Sequence, residues 1–164
     1  MRRGLVLGLA AGMIAASAAA PVEGQIDMSG SGKPKSYVTY AAEPQTVDAG
    51  KQAVVAMRFH IMEGYHVNSH TPKSELLIPT VLRLETADGV KAGTLAYPAG
   101  KTYSFSFDPT EKLDVYAGDF TVKLPVVASA GEHTVNGTLR YQACDNAACY
   151  PPRTLPVQVI FSAK

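Results

Sequence analysis

The chain has 164 residues, a formal net charge of +1, no tryptophan and two cysteines. That length accommodates one domain with an ordinary hydrophobic core, and two cysteines are too few to staple a miniprotein, so the core must carry the fold. A balanced charge with no basic patch interleaved with aromatics excludes nucleic acid as a partner.

The chain opens with Met1-Arg2-Arg3, runs apolar from 4 to 16 and continues in small residues from 17 to 20. A charged start, an apolar centre and a small-residue zone make residues 1–20 a signal peptide. Pro21 disfavours cleavage directly after Ala20, which places the cut at Ala18 or Gly24. The apolar run falls short of the roughly 20 residues of a spanning helix, although an uncleaved anchor is the alternative. The expected mature chain is periplasmic, is not inserted in the membrane and sits where disulfides persist. Residues 21–35 read as a flexible lead-in, rich in Gly, Ser, Pro and Lys from Gln25 onward, and 36–164 as the domain.

Within the domain the pattern is all-β. Strand-like runs cover 36–40, 52–60, 65–68, 76–84, 93–97, 102–107, 119–127, 132–142 and 153–161. In the second run Val55, Met57 and Phe59 share one face, and Val54, Ala56 and Arg58 the other. Turn signals punctuate the runs at Gly50, Gly64, Gly89, Gly100, Gly118 and Gly131. Short strands at this spacing predict an immunoglobulin-like antiparallel β-sandwich. An antibody-type domain is excluded, because it requires a core tryptophan and cysteines on strands far apart.

Here both cysteines, Cys144 and Cys149, lie in one loop between the last two runs. Those runs should pair, which puts the loop at one end of the sandwich, where loops carry function. Pro151-Pro152 removes two backbone donors and stiffens the exit from Cys149. Chain entropy assigns so small a ring about 2 kcal/mol of stabilisation. Two readings follow: a structural clip on a binding or scaffold domain, or the working part of a thiol-exchange protein.

The stretch Tyr141-Gln142-Ala143-Cys144 followed by Cys149-Tyr150-Pro151-Pro152 resembles the active-site hairpin of the N-terminal periplasmic domain of the thiol:disulfide interchange protein DsbD. Glu63-Gly64-Tyr65-His66-Val67-Asn68 and Val115-Tyr116-Ala117-Gly118-Asp119-Phe120 are similar to the same family and occur in the same order. The resemblance spans roughly 36–161 and implies an immunoglobulin-like fold whose cysteine pair cycles between dithiol and disulfide. It implies a protein-disulfide reductase component, without cofactor or metal, that takes electrons from a thioredoxin-like donor and hands them to oxidised periplasmic thiol proteins. Cys149 maps to the thiol that forms mixed disulfides and Cys144 to the resolving thiol. A mobile aromatic cap shields the pair in this family; the matching region is 103–114, with Phe105 and Phe107 as cap candidates. Alternation of Tyr103, Phe105 and Phe107 reads equally as one buried face of a strand.

The chain also departs from the family. Four residues separate the cysteines, where the family's best-known member has five. The family's tyrosines near the cysteines are replaced by His66 and Asn68, and Asp108 and Glu111 are the nearest carboxylates to its acidic cap pair. Tyr150, beside Cys149, completes the candidate supporting residues. An imidazolium at His66 would favour the Cys149 thiolate, whereas Asp145 would raise a neighbouring thiol pKa by like-charge repulsion. The resemblance extends to neither a membrane conduit nor a thioredoxin-like domain, so the expected donor is a separate membrane protein and the domain a monomer. Systems such as cytochrome c biogenesis or copper stress are the candidate settings.

A third reading is metal handling by His60, His66, His70, Met57 and Met62. On one strand His66 and His70 would stand about 13 Å apart, too far for one ion, and no His or Met follows Cys149 to complete a blue-copper loop. Asn136-Gly137-Thr138 fits a glycosylation sequon, a pattern frequent by chance.

Overall fold

A computed structural model describes residues 36–105 and 108–164 of the chain. The signal segment, the lead-in and Phe107 therefore lie outside the described residues. The described residues contain strands and no helix. The sandwich is built from two four-stranded sheets, antiparallel except where β2 runs parallel to β12. One has the order β1 (Val38–Ala41), β3 (Gln52–Ile61), β9 (Asp119–Ala128) and β6 (Val90–Ala92). The other has the order β2 (Gln45–Val47), β12 (Arg153–Ala163), β10 (Gly131–Tyr141) and β5 (Val81–Leu84).

The long strands follow the period-two rule read from the sequence. In β3, Val55, Met57, Phe59 and Ile61 are buried, while Val54 is 54% exposed on the opposite face. Phe120, Val122, Leu124 and Val126 of β9 continue that apolar face, and Val135, Leu139 and Tyr141 of β10 with Val157, Val159 and Phe161 of β12 supply the other side. Burying such alternate residues from two sheets against each other is what makes a sandwich of immunoglobulin type stable. Phe59 lies at the centre of an aromatic chain, 5.2 Å from Tyr40 and 5.0 Å from Phe120 between ring centroids.

The last two long strands pair antiparallel over their full length, from Gly131 opposite Ala163 to Tyr141 opposite Arg153, as expected. Gly137 occupies a central position on β10, and a Cβ there would stand 2.4 Å from the Arg83 carbonyl oxygen on β5. That atom is backbone and cannot swing away. Gly137→Ala should therefore cost about 1–3 kcal/mol through overpacking and loss of the β5 register, measured as a lowered urea midpoint.

A third sheet, not foreseen in the sequence, lies at one end and has the order β11 (Ala143–Cys144), β4 (His66–Asn68), β8 (Leu113–Tyr116) and β7 (Lys101–Tyr103). Gly64 and Gly118, with φ of 81° and 67°, form the tight turns that lead from β3 into β4 and from β8 into β9. Only glycine takes that left-handed conformation at little cost, so these turn signals mark the route of the chain between the sandwich and the third sheet.

Several expected strands are shorter than the sequence patterns indicated. The 76–84 run is strand only over Val81–Leu84, and Leu76 is 94% exposed. Residues before it form a loop stitched to β4: Asn68 Nδ2 donates to the Ile78 carbonyl at 3.0 Å and Thr80 Oγ1 donates to the Asn68 carbonyl at 2.6 Å. Of the 93–97 run only Ala96 bridges to Lys123, while Gly93 N donates to the Pro125 carbonyl; the strand forms instead at Val90–Ala92. Of the 102–107 run, Thr102 and Tyr103 are strand and Ser104 and Phe105 are not, while residues 106 and 107 lie outside the described residues. Two short strands without strong alternation, β2 and β8, escaped detection because they are only three and four residues long.

Candidate functional site

The two cysteines form a disulfide with Cα atoms 4.0 Å apart. They differ sharply in environment. Cys144 sits in β11, paired with His66 of β4, and is fully buried. Cys149 lies beyond the turn, joined to Cys144 by an isolated bridge, and is exposed. Cys149 is therefore the accessible sulfur of the pair and Cys144 the shielded one.

Asp145 organises the turn between them. Its Oδ1 accepts the Ala147 and Ala148 N–H groups, both at 2.8 Å, while its backbone N–H donates to the Ala148 carbonyl at 3.0 Å. Its other oxygen accepts the Tyr150 hydroxyl. These bonds, the Tyr150 hydroxyl foremost, hold the carboxyl below the usual range, and the same contact pushes the Tyr150 phenol up to about 12. The aspartate charge expected to repel a thiolate is thus engaged by three donors. Behind Tyr150 the loop rests on an aromatic floor. Its ring stacks on Tyr37 at 5.2 Å and approaches Tyr65 at 6.0 Å, and the Arg153 guanidinium lies 4.7 Å from the Tyr37 centroid. Gln142 ties the loop base, donating from Nε2 to the Tyr150 carbonyl and standing 3.4 Å from Asn68 Nδ2 through its oxygen.

On the other side, β7 and the segment after it cover the site. Tyr103 packs over the His66 ring with centroids 4.1 Å apart, and Phe105 stands 6.0 Å from it. The Tyr103 hydroxyl donates to Asn146 Oδ1 at 2.8 Å, between the two cysteines. Tyr103 ends a strand, and its ring and that of Phe105 lie against the His66 ring.

His66 and Asn68 are both buried beneath the loop, and each has a side-chain atom without a hydrogen-bond partner among the described residues: His66 Nε2 and Asn68 Oδ1. Burial pushes the His66 pKa below 6.5, with the nearby Asp145 charge opposing it more weakly. Burial therefore works against an imidazolium and favours the neutral ring. The linkage has a definite sign. The unfolded chain takes up a proton at His66 near pH 6.5, before the folded domain does, so stability is full above that pH and falls as the pH drops through it. His66→Gln should flatten the acid limb of a stability-against-pH curve just below pH 6.5, followed by denaturant midpoints.

The remaining candidates fall elsewhere. Asp108 is half-buried, and its carboxylate accepts bonds from the Thr110 hydroxyl and the Thr110 and Glu111 N–H groups, which hold its pKa down. It caps its own turn. Glu111 is exposed. The metal candidates are dispersed among other roles: Met57 is fully buried in the core, His60 pairs with Asp119 at 2.7 Å, and His70 stacks on Tyr97 and contacts the Thr80 carbonyl. No group of three metal-ligating side chains occurs among the described residues. Tyr103, Asp145, Asn146 and Gln142 make contacts around the pair that sequence reasoning did not foresee; from the sequence Asp145 reads only as a repelling charge and Gln142 only as part of the motif. Tyr103 could have been found from its place at the start of the cap region; the others depend on the loop's folded path.

These features define a class: an all-β domain that exposes one sulfur of a local disulfide and buries the other in a strand ladder. The family model for the N-terminal region of the thiol:disulfide interchange protein DsbD matches residues 37–159. The chain belongs to the DsbD N-terminal domain family, and its chemistry is thiol–disulfide exchange. Similar solved structures include the reduced DsbD N-terminal domain of Neisseria meningitidis (23% identity, 72% of this chain and 85% of that one, TM-score 0.44). Another is the complex of the DsbD and PilB N-terminal domains from the same organism (24% identity, 64% and 73%, TM-score 0.43). The N-terminal periplasmic domain of ScsB from Proteus mirabilis is also similar (10% identity, 74% and 44%, TM-score 0.49). No curated protein sequence matches the chain.

Proposed function

We propose that this protein is a periplasmic electron shuttle, exported by residues 1–20, that passes reducing equivalents from a membrane donor or thioredoxin-like protein to oxidised periplasmic thiol proteins. The observation that carries the reading is the asymmetry of the pair, with Cys149 exposed and Cys144 fully buried. A donor thiolate attacks the Cys149 sulfur, the Cys144–Cys149 bond breaks and Cys144 leaves as a thiolate. A second donor thiol then attacks the mixed disulfide and releases Cys149, leaving the domain as a dithiol. Delivery runs the same steps in reverse. Cys149 attacks the acceptor disulfide, and Cys144 resolves the resulting mixed disulfide.

Thiolate fraction, access and leaving group set the rates of these steps. Access is given by the exposure of Cys149, while Tyr103 and Phe105 lie against His66 and the Tyr103–Asn146 bond ties β7 to the turn between the cysteines. Tyr150 and Asp145 hold the turn that keeps both sulfurs together. Membership of the thiol:disulfide interchange family, whose model matches residues 37–159, supports a thiol protein as partner here. The test is single-turnover transfer. Oxidised domain mixed with a reduced thioredoxin-like protein should yield reduced domain and oxidised partner in equal amounts. A disulfide that stays intact under those conditions would leave only the scaffold reading.

A further inference from the structure

In delivery to an acceptor, the domain's own means of resolving the mixed disulfide on Cys149 is a thiolate at Cys144, and Cys144 is fully buried. Burial in apolar surroundings raises a thiol pKa and leaves few thiolates at neutral pH. Solvent hydroxide has poor access to such a site, so a neighbouring group must accept the proton. One side chain is placed to do so. His66 is the antiparallel partner of Cys144 in the β4–β11 ladder. Directly paired residues project to the same face with Cβ atoms about 4.5–5.5 Å apart. His66 is 3% exposed, and its Nε2 has no hydrogen-bond partner among the described residues. Tyr103 and Phe105 lie over the ring.

Resting on the exchange reading above, we infer that His66 is the proton acceptor that activates Cys144 for resolution. The Cys144 thiol gives its proton to the neutral imidazole. Its sulfur electron pair forms the bond to Cys149, the bond between Cys149 and the partner breaks, and the partner sulfur departs as a thiolate. The imidazolium then returns the proton to that thiolate or to solvent, so protons and electrons balance with the partner disulfide as the only oxidant. The titratable groups that face His66 are Cys144 in β11, Asp145 in the turn and Tyr103 in β7. Burial keeps the ring neutral, and therefore available as a base, at pH 7. The negative Asp145 supports the transient imidazolium that forms during transfer.

The two steps separate when the reduced domain reacts with dithiobis-nitrobenzoate, because each releases one coloured thiolate. The first release reports Cys149 attack and the second reports resolution by Cys144. His66→Gln should leave the first release unchanged and slow the second by about a hundredfold, the lower end of what a positioned base contributes. Its second release should climb with pH through the thiol range, whereas that of the unaltered protein should level off below pH 6.5. Added imidazole should restore part of the lost rate. Equal slowing of both releases, or an unaltered second release, would overturn the inference. Should His66→Gln fail to fold, the imidazole nitrogen resonances of the unaltered protein decide: those of His66 should shift on reduction while those of exposed His60 do not, and an unmoved His66 overturns the assignment. Absence of the first release would instead refute the exchange function itself.

Discussion

Cys144→Ser should accumulate a stable mixed disulfide with an oxidised thioredoxin-like protein, and Cys149→Ser should form none. The exposed Cys149 can still attack when Cys144 is absent, but no thiol of the domain then resolves the adduct. With Cys149 removed, the remaining thiol is buried in β11 beside His66 and no partner sulfur reaches it. Electron transfer should fall to the uncatalysed background in both variants, so the adduct distinguishes them. Each variant also loses a ring closure worth about 2 kcal/mol, small beside the 5–15 kcal/mol of an ordinary domain. Both should therefore remain folded. Non-reducing gels with peptide mapping would check the result, and an adduct on Cys144 in Cys149→Ser would contradict the assigned roles.

The largest loss of stability should come from Phe59→Ala. Phe59 is 1% exposed, and its ring lies between Tyr40 and Phe120 at centroid distances of 5.2 and 5.0 Å. Truncation removes a full aromatic ring from the face joining the sheets, and the surrounding strands are hydrogen-bonded on both sides of β3. The site cannot collapse to fill the cavity, so the cost should reach about 3–5 kcal/mol. Guanidinium unfolding would measure it. A loss under about 1 kcal/mol would mean that this stack is not part of the packed core.

Period-two alternation made β3, β9, β10 and β12 legible, since each buries one face and exposes the other. Gly64 and Gly118 were legible as turns because their left-handed backbone demands glycine. The 76–84 run misled: its apolar residues follow a loop path set by Asn68 and Thr80, whose hydrogen bonds form only once β4 is in place. The third sheet was illegible because β7, β8 and β11 are too short to show a period.

At the site, the cysteine pair and Tyr150 stood out by motif, and His66 by the resemblance. The contrast between buried Cys144 and exposed Cys149 could not be read from spacing. It arises because β11 inserts the first cysteine into a ladder while the Asp145 turn throws the second outward. Likewise the neutral state of His66 follows from burial under Tyr103, a tertiary contact that local sequence does not encode.

Equilibration of the mature protein in glutathione redox buffers, followed by alkylation of the free thiols, tests the exchange function most directly. The account predicts a reduction potential within the range of exchange proteins, roughly −120 to −270 mV. A potential below about −300 mV would mark Cys144–Cys149 as a structural disulfide and contradict the account.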